Sequence, residues 1–164
     1  MEYTEAHEAA KLAQTIIKNY HTHLQTTRID FLFVDKPIKI KGKTVAGRAR
    51  KISGLTAYLA TRPNEEPQDF FVIEISKLAW DRYKPKQKKA LVDHELKHCW
   101  IDENGKLTTV GHDCEEFYEI IDRYGLWDES LQGMGRVMQS GLPFDELDEP
   151  STVSLQDATN ARPS

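Results

Sequence analysis

Apolar residues recur along Thr4 to Tyr20 at helical spacing (Ala10, Leu12, Ile16, Ile17) with no Gly or Pro among them, which predicts an amphipathic helix. The pattern then shortens to strand length. Ile29 to Val34 and Phe70 to Ile75 read as strands, the second as a buried one, and Gly47 to Ile52 and Leu55 to Ala60 as two more around Gly54. Arg62-Pro63-Asn64-Glu65-Glu66-Pro67 is a loop by composition. Helical periodicity returns at Pro85, a favourable first helical residue, and runs to about Cys99. Asn104-Gly105 then signals a hairpin turn between Ile101 and Leu107 to Val110. A further helix is predicted from about Asp113, with Glu116 completing a capping box, an apolar stripe of Phe117, Ile120, Ile121 and Tyr124, and Gly125 as the stop. Ser130 to Gln139 is a weaker helix. The chain is therefore expected to be α+β: an N-terminal helix, a small mixed sheet, a central helix, a hairpin and C-terminal helices.

With 164 residues the chain is of single-domain size. A domain is expected over residues 1–140, and residues 141–164, polar, acidic and with three prolines, are expected to be a disordered tail. The formal charge of −4 resides entirely in that segment, where Asp145, Glu146, Asp148, Glu149 and Asp157 face only Arg162. No apolar run is long enough to span a membrane, and Met1 to Glu5 carries acid where a secretory leader needs a basic residue. A cytoplasmic location without membrane association is expected, and two cysteines, Cys99 and Cys114, fit free thiols in a reducing compartment.

The chemistry concentrates in Asp93-His94-Glu95-Leu96-Lys97-His98-Cys99. Two histidines four apart on a helix project from one face, so both imidazoles can reach one zinc ion while the intervening Glu95 stands beside an open coordination position. Lys89, Asp93 and Lys97 form a charged row four residues apart, and Glu95 lies about 200° around the helix from its neighbours in that row. A row facing water places Glu95, Leu91 and His98 inward, where a bound metal offsets the cost of burying a carboxylate. His21 and His23, at the end of the first helix, read as two exposed histidines.

A catalytic zinc needs a third protein ligand and keeps a fourth position for water. The metzincin signature requires a glycine at 101 and a histidine at 104, where this chain has Ile101 and Asn104. His112 is the leading candidate, because the hairpin can return it toward the metal, and Glu115, Glu116 and Glu119 are the alternatives, Glu116 being claimed by the capping box. Asp113 suits either orienting an imidazole or capping a helix, and Tyr118 and Tyr124 are candidates for steadying an oxyanion, although Tyr124 also belongs to the apolar stripe.

The segment His94 to His98, a hairpin, and then Gly111-His112-Asp113 with Phe117 resembles the phage metallopeptidase family of zincins over approximately residues 25 to 125. It is more distantly similar to SprT-like proteases, which have Gly directly after the third histidine and Phe three residues later; here Asp113 and Phe117 stand instead, and no cysteine-rich zinc ribbon is present. The resemblance implies a zincin-like fold with zinc on His94, His98 and His112 and Glu95 as the catalytic residue; zinc-dependent peptide hydrolysis, acting on a protein or peptide substrate, is the function expected.

Two basic stretches suggest a different class of function. Lys36, Lys39, Lys41, Lys43, Arg48, Arg50 and Lys51 come without an intervening acid, and Arg82, Lys84, Lys86, Lys88 and Lys89 lead into the metal helix. A nucleic-acid-binding module with a structural zinc, closed by Cys99 or Cys114 as fourth ligand, is the alternative reading, as is an inactive zincin that binds proteins.

Overall fold

The computed structural model describes residues 1–127 and 129–141. The chain divides into two compact units, Met1–His112 and the part from Asp113 onward.

The first unit opens with strand β1 (Tyr3–Glu5) and helix α1 (His7–Tyr20), followed by a single 3-10 turn (Thr22–Leu24). Strands β2 (Ile29–Val34), β3 (Ile38–Ile40), β4 (Lys43–Val45) and β5 (Gly47–Ile52) precede a short helix α2 (Gly54–Leu59). Strand β6 (Phe70–Ser76) leads through helix α3 (Lys77–Arg82) to the long helix α4 (Pro85–Lys97) and the hairpin of β7 (Cys99–Ile101) and β8 (Leu107–Thr109). Four strands form one mixed sheet in the order β1-β2-β6-β5: β2 and β6 run parallel, and the outer pairs are antiparallel.

Strand alternation gives this sheet two different faces. Phe31, Phe33, Phe71, Ile73 and Ile75 point to one side and form the core with Ala9, Ala13 and Ile16 of α1 and Val92 and Leu96 of α4. Trp80 extends that core, and its indole N–H donates to Glu8 Oε2 at 2.7 Å, tying α3 to α1. The other face is charged. Glu74 there receives Arg48 at 2.7 Å and Arg50 at 3.6 Å and accepts from the Tyr3 hydroxyl, while Asp30 pairs with Arg28 and Arg62. The α+β class, the strands at 29–34, 47–52 and 70–75, the helix from Pro85 and the hairpin at Asn104-Gly105 all form as expected.

Several local expectations are overturned. The first helix starts at His7 rather than Thr4, because Tyr3–Glu5 pairs with the free edge of β2. Leu55 to Ala60 is helical: only Ala57 is buried, Leu55 and Leu59 are exposed, and the chain leaves β5 at Gly54 with φ of +60°. A helix closes its own backbone hydrogen bonds there without needing a partner strand. Ribbon β3–β4 was not anticipated; Lys41 and Gly42 both take positive φ (+47° and +79°), the backbone of a tight hairpin turn. His21 is 5% exposed, not a surface histidine, whereas His23 is exposed.

The second unit, by itself, holds helices α5 (Tyr118–Tyr124) and α6 (Glu129–Ser140), the latter at the position of the weaker predicted helix. α5 begins five residues after Asp113. The carboxylate of Glu116 is engaged otherwise, accepting from Phe117 N–H at 2.8 Å and from the Trp127 indole at 3.2 Å, so no capping box forms. Of the expected stripe, Ile120 and Ile121 are half-buried, but Phe117 and Tyr124 are exposed. The expected acidic tail, apart from Gly141, lies outside the described residues. Among the described residues, no helix is long and apolar enough to cross a membrane.

Candidate metal centre

Helix α4 carries His94 in its last turn and presents His98 as its C-cap, one turn further on. Gln87 Oε1 accepts from Lys84 N–H at 2.9 Å and Pro85 follows, so the start of the helix is capped locally. Its inward side buries Val92, Glu95 and Leu96, while Lys89 and Lys97 face solvent as the charged row requires. Asp93 departs from that row by bonding His21 instead of a lysine. The hairpin β7–β8 then reverses the chain. Asp102 Oδ1 accepts from the amides of Asn104 and Lys106, and Gly105 adopts φ of +75°, so β8 runs back toward the end of α4 and delivers His112.

The three imidazoles meet. His94 Nε2 lies 3.3 Å from His98 Nε2 and 3.2 Å from His112 Nε2, and the candidate ligand atoms of all three residues lie within 4.8 Å of one another. Nitrogens bound tetrahedrally to one ion at ~2.0–2.1 Å stand about 3.3 Å apart, so the two close pairs have the spacing of ligands before any ion is placed between them. Val110 holds His98 twice: its amide donates to the His98 carbonyl at 2.9 Å, and its carbonyl lies 2.6 Å from His98 Nδ1. A carbonyl can only accept, so His98 Nδ1 carries the proton and Nε2 presents its lone pair to the cluster. Partial desolvation, followed by the neighbouring His98 and His112, pushes the His94 pKa below the usual histidine value and favours the neutral, ligating form. His94 and His112 are exposed and His98 is half-buried.

Glu95, between the two histidines in sequence, is 3% exposed. Its side chain packs on β5, where a Cβ at position 47 would come within 2.5 Å of Oε1, so Gly47 is the residue that admits the carboxylate. Burial raises its pKa to about 7, against the lowering effects of His98 and of the hydrogen bond from Ala49 N–H.

Among the described residues the cluster consists of the three histidines alone. Cys99 is fully buried, with Sγ directed at the Glu95 carbonyl at 3.7 Å; burial and then Glu95 push its thiol up to about 12, the behaviour of a packed, protonated side chain. Cys114 is a half-buried free thiol, Glu116 is engaged with Phe117 and Trp127, and Glu115 and Glu119 are exposed. Tyr118 is 88% exposed.

Three contributors escaped the sequence reading. Val110 acts through its backbone carbonyl, and Gly47 through the absence of a side chain, so neither leaves a residue-type signal. His21 did leave one, a histidine beside the end of a helix, but its partner Asp93 lies 72 residues away.

Comparison with known proteins agrees with the geometry. The family model described as "Putative phage metallopeptidase" matches residues 1–139. The chain belongs to that family. No curated protein and no solved structure matches it. In this phage metallopeptidase family member, the match spans the sheet, α4 with its two histidines, the hairpin and His112, and the three histidines form a cluster able to hold a metal ion.

Proposed function

We propose that the protein is a zinc-dependent peptidase that hydrolyses peptide bonds, with His94, His98 and His112 as the metal ligands and Glu95 as general base. The observation that carries this reading is the conjunction of an open cluster of three imidazoles with a buried carboxylate on the intervening residue of the same helix. An all-nitrogen set of three ligands with a free fourth position suits a catalytic zinc, and a structural site would be closed by a fourth protein ligand. Zinc bound there supplies a Lewis acid that polarises the scissile carbonyl and makes water acidic near neutral pH.

The chain's own groups do the rest. Val110 and the Nδ1 proton of His98 fix one imidazole with its lone pair turned to the cluster. Glu95 accepts a proton from the attacking water at a carboxylate oxygen and delivers it to the departing amine nitrogen. Burial raises the Glu95 pKa to about 7 in the metal-free chain, and a cation held by the histidines would draw it down, keeping the carboxylate ionised and able to take that proton. The test is hydrolysis of a fluorescently labelled unfolded protein, with bound zinc measured in parallel. Wild-type protein with about one zinc per chain should cleave; Glu95→Gln should keep the zinc and lose cleavage. Equal cleavage by both removes Glu95 from the mechanism, and zinc retained in full by His94→Ala and His98→Ala removes the assigned site.

One observation favours a second, additional reading in which ribbon β3–β4 contacts a polyanion. The basic run divides in the structure: Arg48 and Arg50 are drawn onto Glu74 and Lys51 onto Asp69, whereas Lys39, Lys41 and Lys43 are exposed and form no salt bridge among the described residues. Three phosphate contacts predict a log-log salt slope of about −2.7 for duplex DNA. Fluorescence anisotropy with a short duplex over a salt series measures it. Loss of binding in a Lys39→Gln, Lys41→Gln, Lys43→Gln variant supports the contact; binding unchanged by those substitutions, or absent at low salt, refutes it.

A further inference from the structure

Two histidines outside the cluster grip the metal-bearing segment at both of its ends. His21 ends α1, and its Nε2 lies 2.6 Å from Asp93 Oδ1, on the residue immediately before His94. His23 sits in the 3-10 turn, and its Nε2 lies 3.3 Å from the carbonyl oxygen of Cys99, on the residue immediately after His98. Neither grip dangles from a loose chain. His21 is 5% exposed, Leu24 in the same turn is 1% exposed and belongs to the core, and the His23 ring rests against Trp100 with centroids 4.9 Å apart.

The segment between the grips needs such support. α4 ends at Lys97 and His98 is its C-cap, so one of the converging imidazoles stands where a helix frays. Small rotations there would part His98 Nε2 from His94 Nε2. Val110 holds His98 from the hairpin side, while the two histidines hold Asp93 and Cys99 from the side of α1.

We propose that His21 and His23 are positioning residues that keep the segment from Asp93 to Cys99 in the conformation where His94 and His98 converge with His112. They do not touch the metal or the substrate. The proposal rests on the metal site described under the proposed function, and the experiment separates the two. Partners that orient metal ligands typically contribute ~10–100-fold to metal affinity. His21→Gln and His23→Ala should each weaken binding of zinc, measured by competition with a chromogenic chelator, by about tenfold. They should also change the visible absorption of the cobalt-substituted protein, which reports ligand geometry.

Trp80→Phe serves as the control for mere destabilisation, because it removes the Trp80–Glu8 hydrogen bond, another tie between α1 and the elements that follow β6. It should lower the melting temperature while leaving affinity and the cobalt spectrum as in the wild type. If His21→Gln does not fold, His23→Ala, at an exposed position, carries the test alone. Wild-type affinity and spectrum in the histidine variants overturn the proposal, as does an equal loss of affinity in Trp80→Phe. Wild-type protein that takes up no metal overturns the site itself, and the positioning role with it.

Discussion

Glu74 and Glu95 are equally buried, 2% and 3% exposed, yet their surroundings differ in kind. Glu74 lies on the charged face of the sheet and is answered where it stands, by two arginines and a tyrosine hydroxyl. Glu95 lies under α4 on the opposite face with one backbone N–H and the His98 imidazole for company, and among the described residues no lysine or arginine forms a salt bridge with it. A carboxylate enclosed by its own cations serves the fold. One that is buried without a cation, next to an imidazole of a cluster able to hold a metal ion, is pushed toward its neutral form until a cation binds nearby, and in this it differs from a structural ion pair.

The comparison breaks most directly by removing each charge in turn. Glu95→Gln should lower hydrolysis by at least ~10²–10⁴-fold with no loss of melting temperature or zinc, because Gln keeps the shape but cannot carry the proton. Glu74→Gln should do the reverse, costing about 2–4 kcal/mol in denaturant unfolding while the folded protein keeps its zinc, since Arg48 loses its charged partner. If Glu74→Gln abolishes zinc binding or Glu95→Gln unfolds the chain, the two roles have been misassigned.

Next in size is Gly47→Ala. A methyl group placed 2.5 Å from Glu95 Oε1 forces the carboxylate aside, so a destabilisation of about 1–3 kcal/mol and a fall in hydrolysis are expected together. Stripping the metal with a chelator should lower the melting temperature, by the equivalent of ~2.7 kcal/mol where free zinc had stood at 100 times its Kd. That loss should appear equally in wild type and Glu74→Gln and vanish in His98→Ala. The smallest effect belongs to Arg50→Gln. Arg50 is half exposed and 3.6 Å from Glu74, so its removal should cost less than ~1 kcal/mol and show that Arg48 suffices.

The pair also shows what a sequence can disclose. His94, Glu95 and His98 were legible because their relationship is local, one turn of a helix, and the inward aim of Glu95 followed from the Lys89–Asp93–Lys97 row. His112 was legible because Asn104-Gly105 marks the reversal that returns it. The floor under Glu95 was not, because the contact of Gly47 and Ala49 with α4 depends on the placement of β5, for which the chain carries no local sign. β1 has only three residues and makes sense only beside β2. Leu55 to Ala60 fits both alternation and helical spacing, and burial of Ala57 alone resolves it. The burial of His21 has no local sign either, since helix geometry describes which way it leaves α1, not that Asp93 waits there.

The central claim is that one metal ion sits among His94, His98 and His112 with Glu95 beside it. Anomalous diffraction from crystals of the purified protein, collected on both sides of the zinc edge, tests it most directly. The account predicts a single zinc peak about 2.0–2.1 Å from one ring nitrogen of each of the three histidines, with no protein atom in the fourth position. A peak ligated by Cys99, by Cys114 or by a glutamate of the second unit, or crystals of zinc-loaded protein with no peak at the cluster, would contradict it.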